Sequence, residues 1–138
     1  MSDVGLLLFY NETTMRRVRN RQKRAFLRRH RPTKVSAPFV VYFAECSGEN
    51  CCVVGSAICD SILQADYYHA VAFAEVAKNV AWAAHNKSWL CYFKDYRQFD
   101  RPLLLSNFGY SSTGLKHIQN EPIAESQRES VFVVLLEE

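Results

Sequence analysis

The sequence predicts an α+β protein built on a mixed, partly open β-barrel with flanking helices. Five or more short runs are rich in aromatic and apolar residues, which is the composition of strands. Few of these runs are joined by tight turns, and a basic segment and a long amphipathic segment with helical spacing lie between them. Strands and helices mixed in this order favour a curved sheet that does not close fully and is covered by helices.

Length and composition are those of a single globular domain over residues 1–138, large enough to bury a core of its own. Hydrophobic residues make up 49% of the chain and charged residues 22%. No run reaches the roughly 18 apolar residues of a transmembrane helix, so no membrane partner is expected. Leu6–Leu8 are apolar, but the residues before them do not form the basic region with which a secretory signal begins. A cytoplasmic location is the resulting expectation.

Positive charge is concentrated in residues 15–31, which hold nine Lys or Arg and no acid. The rest of the chain has eight bases and 14 acids, so a basic segment is attached to an acidic body. Such a cluster is typical of proteins that bind a polyanion. A helix face that is merely solvated would interleave acids with the bases. The predicted nucleic-acid-binding residues are Arg16, Arg17, Arg19, Arg21, Lys23, Arg24, Arg28, Arg29 and Arg31.

The first half of the chain predicts a strand, a basic helix and a hairpin. The apolar run Val4–Tyr10 predicts a buried strand, and Asn11 begins a group of residues that can cap a helix. A helix is expected from Met15 to about Arg29, with a thin apolar stripe. Strands over Pro38–Glu45 and Cys52–Cys59 flank the glycine-containing turn from Ser47 to Asn50.

The second half predicts a long helix and at least two more strands. Asp66 is placed to cap a helix from Tyr67 to about His85, in which alanines recur at spacings of three and four. Trp89–Phe93 has strand composition, and Pro102 favours an extended path through the leucines that follow it. Short elements are expected at 115–118 and 122–128, and a last strand at 130–136.

Four segments resemble the PUA-like superfamily, and the EVE and ASCH branches within it most closely. Phe99–Leu105 resembles the segment that crosses the small barrel of those domains, and Val40–Ala44 with Val53–Ile58 resembles a strand pair. Leu115–Ile118 is similar to a short element of the EVE and YTH branches. The resemblance covers roughly residues 39–58 and 89–118. It implies a barrel that binds nucleic acid, and related domains hold a modified base in an aromatic pocket.

Catalytic and metal sites have little support in the sequence. No nucleophile elbow, phosphate-binding glycine loop or H-E-x-x-H motif is present, and the four histidines are scattered singly. Cys46, Cys51, Cys52 and Cys59 are not spaced as zinc ligands, although Cys46 and Cys51 could pair across the hairpin. No cofactor and no metal are expected.

Some ASCH proteins are amidohydrolases that act on acetylated cytidine with a Lys, a Thr and a Glu. Their early G-x-K-x-x-T pattern is not reproduced here, because Thr33 precedes Lys34. Glu45 is the residue that could act as a general acid or base, provided that burial raises its pKa. The enzymatic function therefore stays an alternative.

Tyrosines near the barrel mouth are the better candidates for a binding pocket. Aromatic rings stack on unpaired bases, and a tyrosine hydroxyl needs a polar partner. Phe43, Trp89 and Phe93 are expected in the core, and the predicted pocket residues are Tyr42, Tyr92, Tyr96 and Arg97.

The sequence therefore predicts a non-enzymatic nucleic-acid-binding module, with RNA favoured over DNA. The basic segment would hold phosphates while the mouth accepts a base. The alternatives are a protein-interaction or structural module that uses the basic helix, and a small amidohydrolase acting on a modified nucleoside.

Overall fold

The computed structural model describes residues 4–33, 35–48, 50–105 and 130–135, and the side chains within these ranges from residue 5 to residue 105. The strands are β1 (Val4–Asn11), β2 (Ala25–Arg28), β3 (Phe39–Ser47), β4 (Asn50–Gln64), β5 (Trp89–Leu104) and β6 (Ser130–Leu135). The helices are α1 (Glu12–Arg19), α2 (Tyr67–His69), a π-helix (Ala70–Ala74) and α3 (Lys78–Ala84). The elements predicted at 115–118 and 122–128 lie outside the described residues.

The described strands form one mixed sheet in the order β2-β5-β4-β3-β1-β6. Strands β1 and β3 run parallel, and the other neighbouring pairs are antiparallel. Strands β2 and β6 are the two edges, so the sheet does not close on itself. The predicted fold class is confirmed, because this is a mixed, partly open barrel with helices beside it.

Aromatic contacts across the sheet show how strongly it curves. Phe26 of β2 stacks on Phe93 of β5 with centroids 6.4 Å apart, and Phe93 meets Phe43 of β3 at 5.2 Å. Phe43 in turn stacks on Tyr10 of β1 at 6.1 Å. A chain of rings thus joins β2 to β1, which have three other strands between them in the sheet. The face that carries these rings is called the inner face below.

Helix α1 packs its apolar stripe against the inner face. The Asn11 side chain accepts a hydrogen bond of 2.8 Å from the Thr14 amide, which confirms the predicted cap. Met15 and Val18 are 0% and 1% exposed and join the inner core. The remaining positions of the helix are mostly charged and face solvent, as expected for a helix that packs by one narrow stripe.

The helix predicted over residues 15–29, and with it a basic helical segment at 15–31, is corrected by the structure. Helix α1 ends at Arg19, and Arg21 has a positive φ of 61° that turns the chain away. Residues 25–28 then pair with β5 as an edge strand. Ala25 and Phe26 are both fully buried but belong to clusters on opposite faces, which a strand allows and a thin helical stripe does not.

Strands β4 and β5 are longer than the sequence indicates. Their pairing shifts at three places, between Val53 and Gly55, Ser56 and Ile58, and Cys59 and Ser61. Asp95 has a φ of 58°, so the polar residues that follow Phe93 make an irregularity within β5 rather than its end. Residues 99–104, which belong to the segment expected to cross the barrel, are therefore part of the second half of this strand.

The helix predicted from Tyr67 to His85 is interrupted. A π-helix follows α2, and Glu75 at φ 57° separates it from α3. The cause lies in contacts with the other half of the chain. The Lys23 ammonium donates to the Ala74 carbonyl at 2.6 Å, and the Arg24 amide donates to the Phe73 carbonyl at 2.7 Å. These bonds satisfy carbonyls that a continuous helix would have used itself.

Asp66 caps α2 as predicted, and its removal should weaken this helical region. Its carboxylate accepts a 2.9 Å hydrogen bond from the His69 amide, and that bond is the main cause of the lowered pKa of Asp66. We expect Asp66→Ala to cost about 1 kcal/mol in urea unfolding at neutral pH, with Asp66→Asn costing clearly less because asparagine also caps well.

The pH dependence supplies a control for this prediction. The folded pKa of Asp66 lies below the unfolded one, so its charge stabilises the fold above about pH 4. That stabilisation is lost as the pH falls through the folded pKa. The difference between the wild-type protein and Asp66→Asn should therefore shrink in acid. A difference that stays constant with pH would contradict a role for the charge.

The cysteines are used as small hydrophobic residues and as one pair. Cys46 and Cys51 face each other across the β3–β4 hairpin and form a disulfide. Cys59 is buried in the inner core, so the four clustered cysteines do not converge on one point. Within the described ranges, no group of three metal-binding side chains comes together, and no helix combines the length and the apolar character that crossing a bilayer requires.

Candidate nucleic-acid interface

Arg19 joins helix α1 to one end of the half-barrel, which is called the mouth below. Its Nη2 atom lies 2.6 Å from Glu45 Oε1 on β3, and its Nε atom donates to Gln98 Oε1 on β5 at 3.1 Å. The Tyr96 hydroxyl donates to the same Gln98 oxygen at 2.6 Å. Two strands and the end of the basic helix are thus held together by one connected set of polar side chains.

Tyr96 is seated over Gly55, and the glycine is needed there for space. A Cβ atom at Gly55 would lie 2.4 Å from the Tyr96 hydroxyl oxygen and 2.7 Å from the Arg97 carbonyl oxygen. The ring also meets Phe43 edge to face at 5.6 Å. Burial raises the pKa of Tyr96, against the smaller opposing effect of Arg19. The phenol is therefore a neutral donor that fixes the orientation of Gln98.

Gly55→Ala should consequently destabilise the protein and loosen the mouth. We expect a loss of about 1–3 kcal/mol in urea unfolding, because the new methyl group meets both a ring and a backbone oxygen. Ser56→Ala, at the next position of the same strand, is the control and should cost less than about 1 kcal/mol.

A double-mutant cycle locates the cause of that loss. In a Tyr96→Ala background the ring is gone, so Gly55→Ala should cost distinctly less than it does alone. Equal costs in both backgrounds would show that the Tyr96 ring is not what the glycine accommodates.

A cleft of about 490 Å³ lies beside this polar cluster on β4 and β5. It is lined by Ser56, Arg97, Gln98, Phe99 and Asp100. Gln98 therefore belongs both to the cleft wall and to the hydrogen-bonded set that reaches Arg19. The lining combines a flat ring with a guanidinium, an amide, a carboxylate and a hydroxyl, a mixture that can both stack on and hydrogen-bond to a planar polar ligand.

Of the four predicted pocket residues, Arg97 lines the cleft, while Tyr96 packs with the inner core and Tyr42 with the cluster on the other face of the sheet. Tyr42, Ser56 and Arg97 occupy one row across three strands, since Tyr42 pairs in register with Ser56 and Ser56 with Arg97. Tyr96 is the neighbour of Arg97 at the mouth. Burial raises the pKa of Tyr42, as it does for Tyr96.

Tyr92 lies elsewhere. Its ring packs edge to face on Phe73 of the π-helix at 5.6 Å, within the cluster that joins the helices to the sheet. Burial raises its pKa as well, with a smaller contribution from Asp66. This position serves the packing of the helices on the sheet and is separate from the mouth.

The basic residues fall into two groups rather than on one helical face. Arg16, Arg17 and Arg21 are exposed on and just after α1, and Arg16 is 3.7 Å from the Glu12 carboxylate one turn earlier. Such an exposed pair contributes little to stability, so the guanidinium can exchange this partner for another anion. Arg19 is engaged at the mouth, as described above.

The second group lies in and on either side of the edge strand β2. Lys23 is 2% exposed and bonded to the Ala74 carbonyl, so it is a structural residue of the core. Arg24 lies over the Phe73 ring at 4.7 Å, and Arg31 lies over the Trp89 ring at 4.9 Å. Arg28 is half-buried and Arg29 is exposed.

Two expectations about the aromatic core are met and one is not. Phe43 is fully buried and Phe93 is 6% exposed, both within the inner core. Trp89 is half-buried beneath Arg31 instead of inside the core.

Ser56, Gln98, Phe99 and Asp100 were not identified from the sequence. The irregular pairing of β4 with β5 decides which of these side chains reach the cleft, and no local residue pattern marks those shifts. Glu45 was singled out, and it lies at the mouth opposite Cys52 in register. Burial, with a smaller effect of Glu45, raises the pKa of the Cys52 thiol. Thr33 is exposed, and Lys34 lies outside the described residues.

Comparison with solved structures finds neighbours among ASCH proteins. The ASCH protein from Zymomonas mobilis matches 97% of this chain and 88% of its own, with a TM-score of 0.63 at 15% identity. Two variants of the same protein, one carrying a Tyr-to-Phe and one a Ser-to-Ala change, match with TM-scores of 0.60 and 0.62 at 14% identity. These matches span 91% and 89% of the two variant chains and 97% of the present chain.

These matches confirm the resemblance at the level of fold. The structural neighbours are ASCH domain proteins, and ASCH domains belong to the PUA-like superfamily. Identities of 14% and 15% establish a shared architecture without transferring an activity. No family model matches the sequence, and no curated protein is significantly similar to it.

Proposed function

We propose that the chain is a nucleic-acid-binding module that favours RNA, with the exposed arginines of α1 on the phosphates and the cleft beside the mouth around a base. The observation that carries this proposal is the hydrogen bond of 3.1 Å from Arg19 to Gln98. It connects the end of the basic helix to a residue of the cleft wall. A strand held along α1 therefore passes next to a cavity that suits a planar polar group.

The phosphate contacts are assigned to Arg16, Arg17 and Arg21. Their side chains are exposed, and the guanidinium fork matches two oxygens of one phosphate. Contacts of this kind supply affinity and position without reading sequence. Arg19 and Lys23 are excluded from this role, because internal partners already hold them.

The base is assigned to the cleft. Phe99 offers an aromatic surface, while Arg97, Asp100 and Gln98 offer donors and acceptors for the edge of a ring. A base reaches such a cavity only when it is unstacked, as in single strands, loops and bulges. RNA is favoured because sequence-specific RNA recognition mostly uses such unpaired bases.

The experiment that tests the proposal is fluorescence anisotropy with labelled single-stranded RNA, duplex RNA and single-stranded DNA over a salt series. Each phosphate contact contributes about −0.7 to the log–log salt slope for single strands. Replacing Arg16, Arg17 and Arg21 by Gln should therefore reduce the magnitude of the slope by about 2. Lys78, Lys87 and Lys94 replaced by Gln form the matched control, with the same change in net charge and an unchanged slope.

A slope near zero for the wild-type protein, or equal effects of the two triple variants, would refute the assignment of phosphates to α1. Failure to bind any nucleic acid at low salt would instead favour the protein-interaction module. Sedimentation that depends on protein concentration, without nucleic acid, would then support that alternative.

The cleft has its own test. We expect Arg97→Gln to weaken binding of single-stranded RNA by about 1–3 kcal/mol if its guanidinium contacts the base edge, with little change in salt slope. Lys94→Gln removes the same charge from the same strand and should change the affinity only slightly. Equal effects of the two substitutions would show that Arg97 contributes only general charge.

One observation favours the hydrolase as a second candidate function. The Glu45 carboxylate lies at the mouth, where a reacting group bound beside the cleft would meet it, and Arg19 holds it in place. Turnover of N-acylated nucleosides that Glu45→Gln abolishes would establish this activity. Absence of turnover together with salt-dependent RNA binding would leave the binding module.

A further inference from the structure

The end of the half-barrel opposite the mouth holds a second cluster of arginine and aromatic side chains. Arg28 on β2 and Trp89 on β5 are directly opposite each other in register. Arg31, just beyond the end of β2, places its guanidinium 4.9 Å from the centre of the Trp89 ring. An indole that is half-buried and covered by a cation is a preorganised surface rather than part of the core.

The positive charge of this cluster is not balanced by the acids of the described chain. The acids in described ion pairs are Glu12, Glu45, Asp60 and Asp66, and each faces a base elsewhere. Within the same ranges, no ion pair includes Arg28, Arg29 or Arg31.

Arg28 adds an unmet hydrogen-bonding need. Its Nε atom is buried and has no hydrogen-bond partner among the described residues. A buried donor without an acceptor costs free energy, and most such groups in folded proteins are paired. An anion bound between Arg28 and Arg31 would satisfy this donor and balance both charges.

We propose that Arg28, Arg31 and Trp89 form a phosphate-binding site at the end of the half-barrel opposite the mouth. The guanidinium groups match a phosphate in charge and geometry, and the indole packs against the sugar or base attached to it. This site deepens the proposed function, and its assignment to nucleic acid rests on that function. The phosphate is either the terminal one of a strand or one within its backbone.

The site is distinct from the phosphate contacts assigned to α1. Trp89 and the cleft residue Gln98 lie at opposite ends of a stretch of β5 that spans roughly 30 Å at the usual rise of a strand. One phosphate cannot contact both ends. A bound nucleic-acid strand would therefore extend along the protein surface from the mouth to Trp89. A longer RNA should therefore bind more tightly than one that covers only the mouth.

Tryptophan fluorescence can observe this site directly. The chain has two tryptophans, and Trp82 is 56% exposed on α3, so Trp82→Phe leaves Trp89 as the only indole with little risk to the fold. This variant would be titrated with inorganic phosphate and with an RNA octamer carrying either a 5′-phosphate or a 5′-hydroxyl. We expect a saturable change in Trp89 emission with phosphate and a tighter one with RNA.

A stronger response to the 5′-phosphorylated octamer would identify the terminal phosphate as the ligand, and equal responses would identify the backbone. Both outcomes support the site. No change in Trp89 emission with phosphate or with either RNA would overturn it, and this result needs no further variant.

Matched double substitutions separate this proposal from the proposed function. Arg28→Gln with Arg31→Gln should lower the affinity that Trp89 reports at least tenfold, whereas Lys78→Gln with Lys87→Gln, at two exposed positions outside the proposed interface, should leave the response to inorganic phosphate unchanged. Circular dichroism would confirm that both variants are folded. If the two pairs had equal effects, the response would reflect net charge and the site would be refuted. If RNA binding depends on the arginines of α1 while Trp89 emission does not change, the Arg28–Arg31–Trp89 site is refuted and the proposed function is not.

Discussion

Replacing Phe43 by alanine is expected to cost about 3–5 kcal/mol of unfolding free energy. The side chain is fully buried, and its ring contacts Tyr10 of β1 and both Phe93 and Tyr96 of β5. Its removal leaves a cavity at the point where the sheet bends, and the rigid surroundings can close that cavity only in part. Since domains of this size have roughly 5–15 kcal/mol of stability, the loss is a large share of the total.

Urea unfolding followed by circular dichroism would measure this loss. Phe43→Leu keeps much of the volume and should cost distinctly less, which preserves the test if the alanine variant does not fold. Phe73→Ala removes the same ring from the helix–sheet cluster, where the side chain is only half-buried, and should cost less than Phe43→Ala. A cost under 1 kcal/mol for Phe43→Ala would contradict the central position assigned to this residue.

Replacing Lys23 by alanine is expected to cost about 2–4 kcal/mol, an unusual value for a lysine. Its side chain is 2% exposed, donates to the Ala74 carbonyl at 2.6 Å and lies 5.4 Å from the centre of the Tyr10 ring. Hydrogen bonds that involve a charged group contribute about 1.5–3 kcal/mol, and the buried stem adds packing. The π-helix should loosen with this change, since its last carbonyl loses a donor.

Two comparisons make the role of the charge measurable. Lys23→Met keeps the stem and should cost about half as much as the alanine change, while Lys78→Ala removes an exposed lysine and should be nearly neutral. Hydrogen exchange at residues 70–74 should rise in both Lys23 variants. A methionine variant more stable than the wild-type protein would mean that burying the ammonium costs more than its contacts return.

Patterns that act locally were sufficient for much of the fold. The apolar run of β1, the β3–β4 hairpin and the capping residues Asn11 and Asp66 all depend on near neighbours in the chain. The resemblance in the segments around Gly55 and Pro102 gave the architecture, which the structural neighbours confirm.

Elements that depend on distant partners were beyond the reach of such patterns. Strand β2 is four residues long and exists because β5 supplies its hydrogen bonds. The break between the π-helix and α3 depends on residues 23 and 24, about fifty positions earlier in the chain. One signal was available for β2, because three consecutive apolar residues fit a strand buried on both faces better than a narrow helical stripe.

The candidate site was only partly accessible to prediction for the same reason. Tyr96 and Arg97 could be singled out because they lie in an aromatic and basic stretch. Tyr92 packs in the helix–sheet cluster and Tyr96 at the inner core, although both are tyrosines of β5 four positions apart. The positive φ of Asp95 between them changes the alternation of side chains, and the sequence does not show this change. Gln98 and Ser56 become important through strand register, which is a property of the whole sheet.

The β2 edge, one of the two edges of the sheet, has a consequence for how copies of the chain behave toward each other. An edge strand presents unpaired amides and carbonyls that can template pairing with a second molecule, and this is a common route to aggregation. Strand β2 is short and is bounded by Arg24 and Arg28, with Arg29 and Arg31 just beyond. If the β2 strands of two molecules came together, their arginine side chains would repel each other. The arginines around β2 therefore oppose association of two chains through this edge before any ligand is bound.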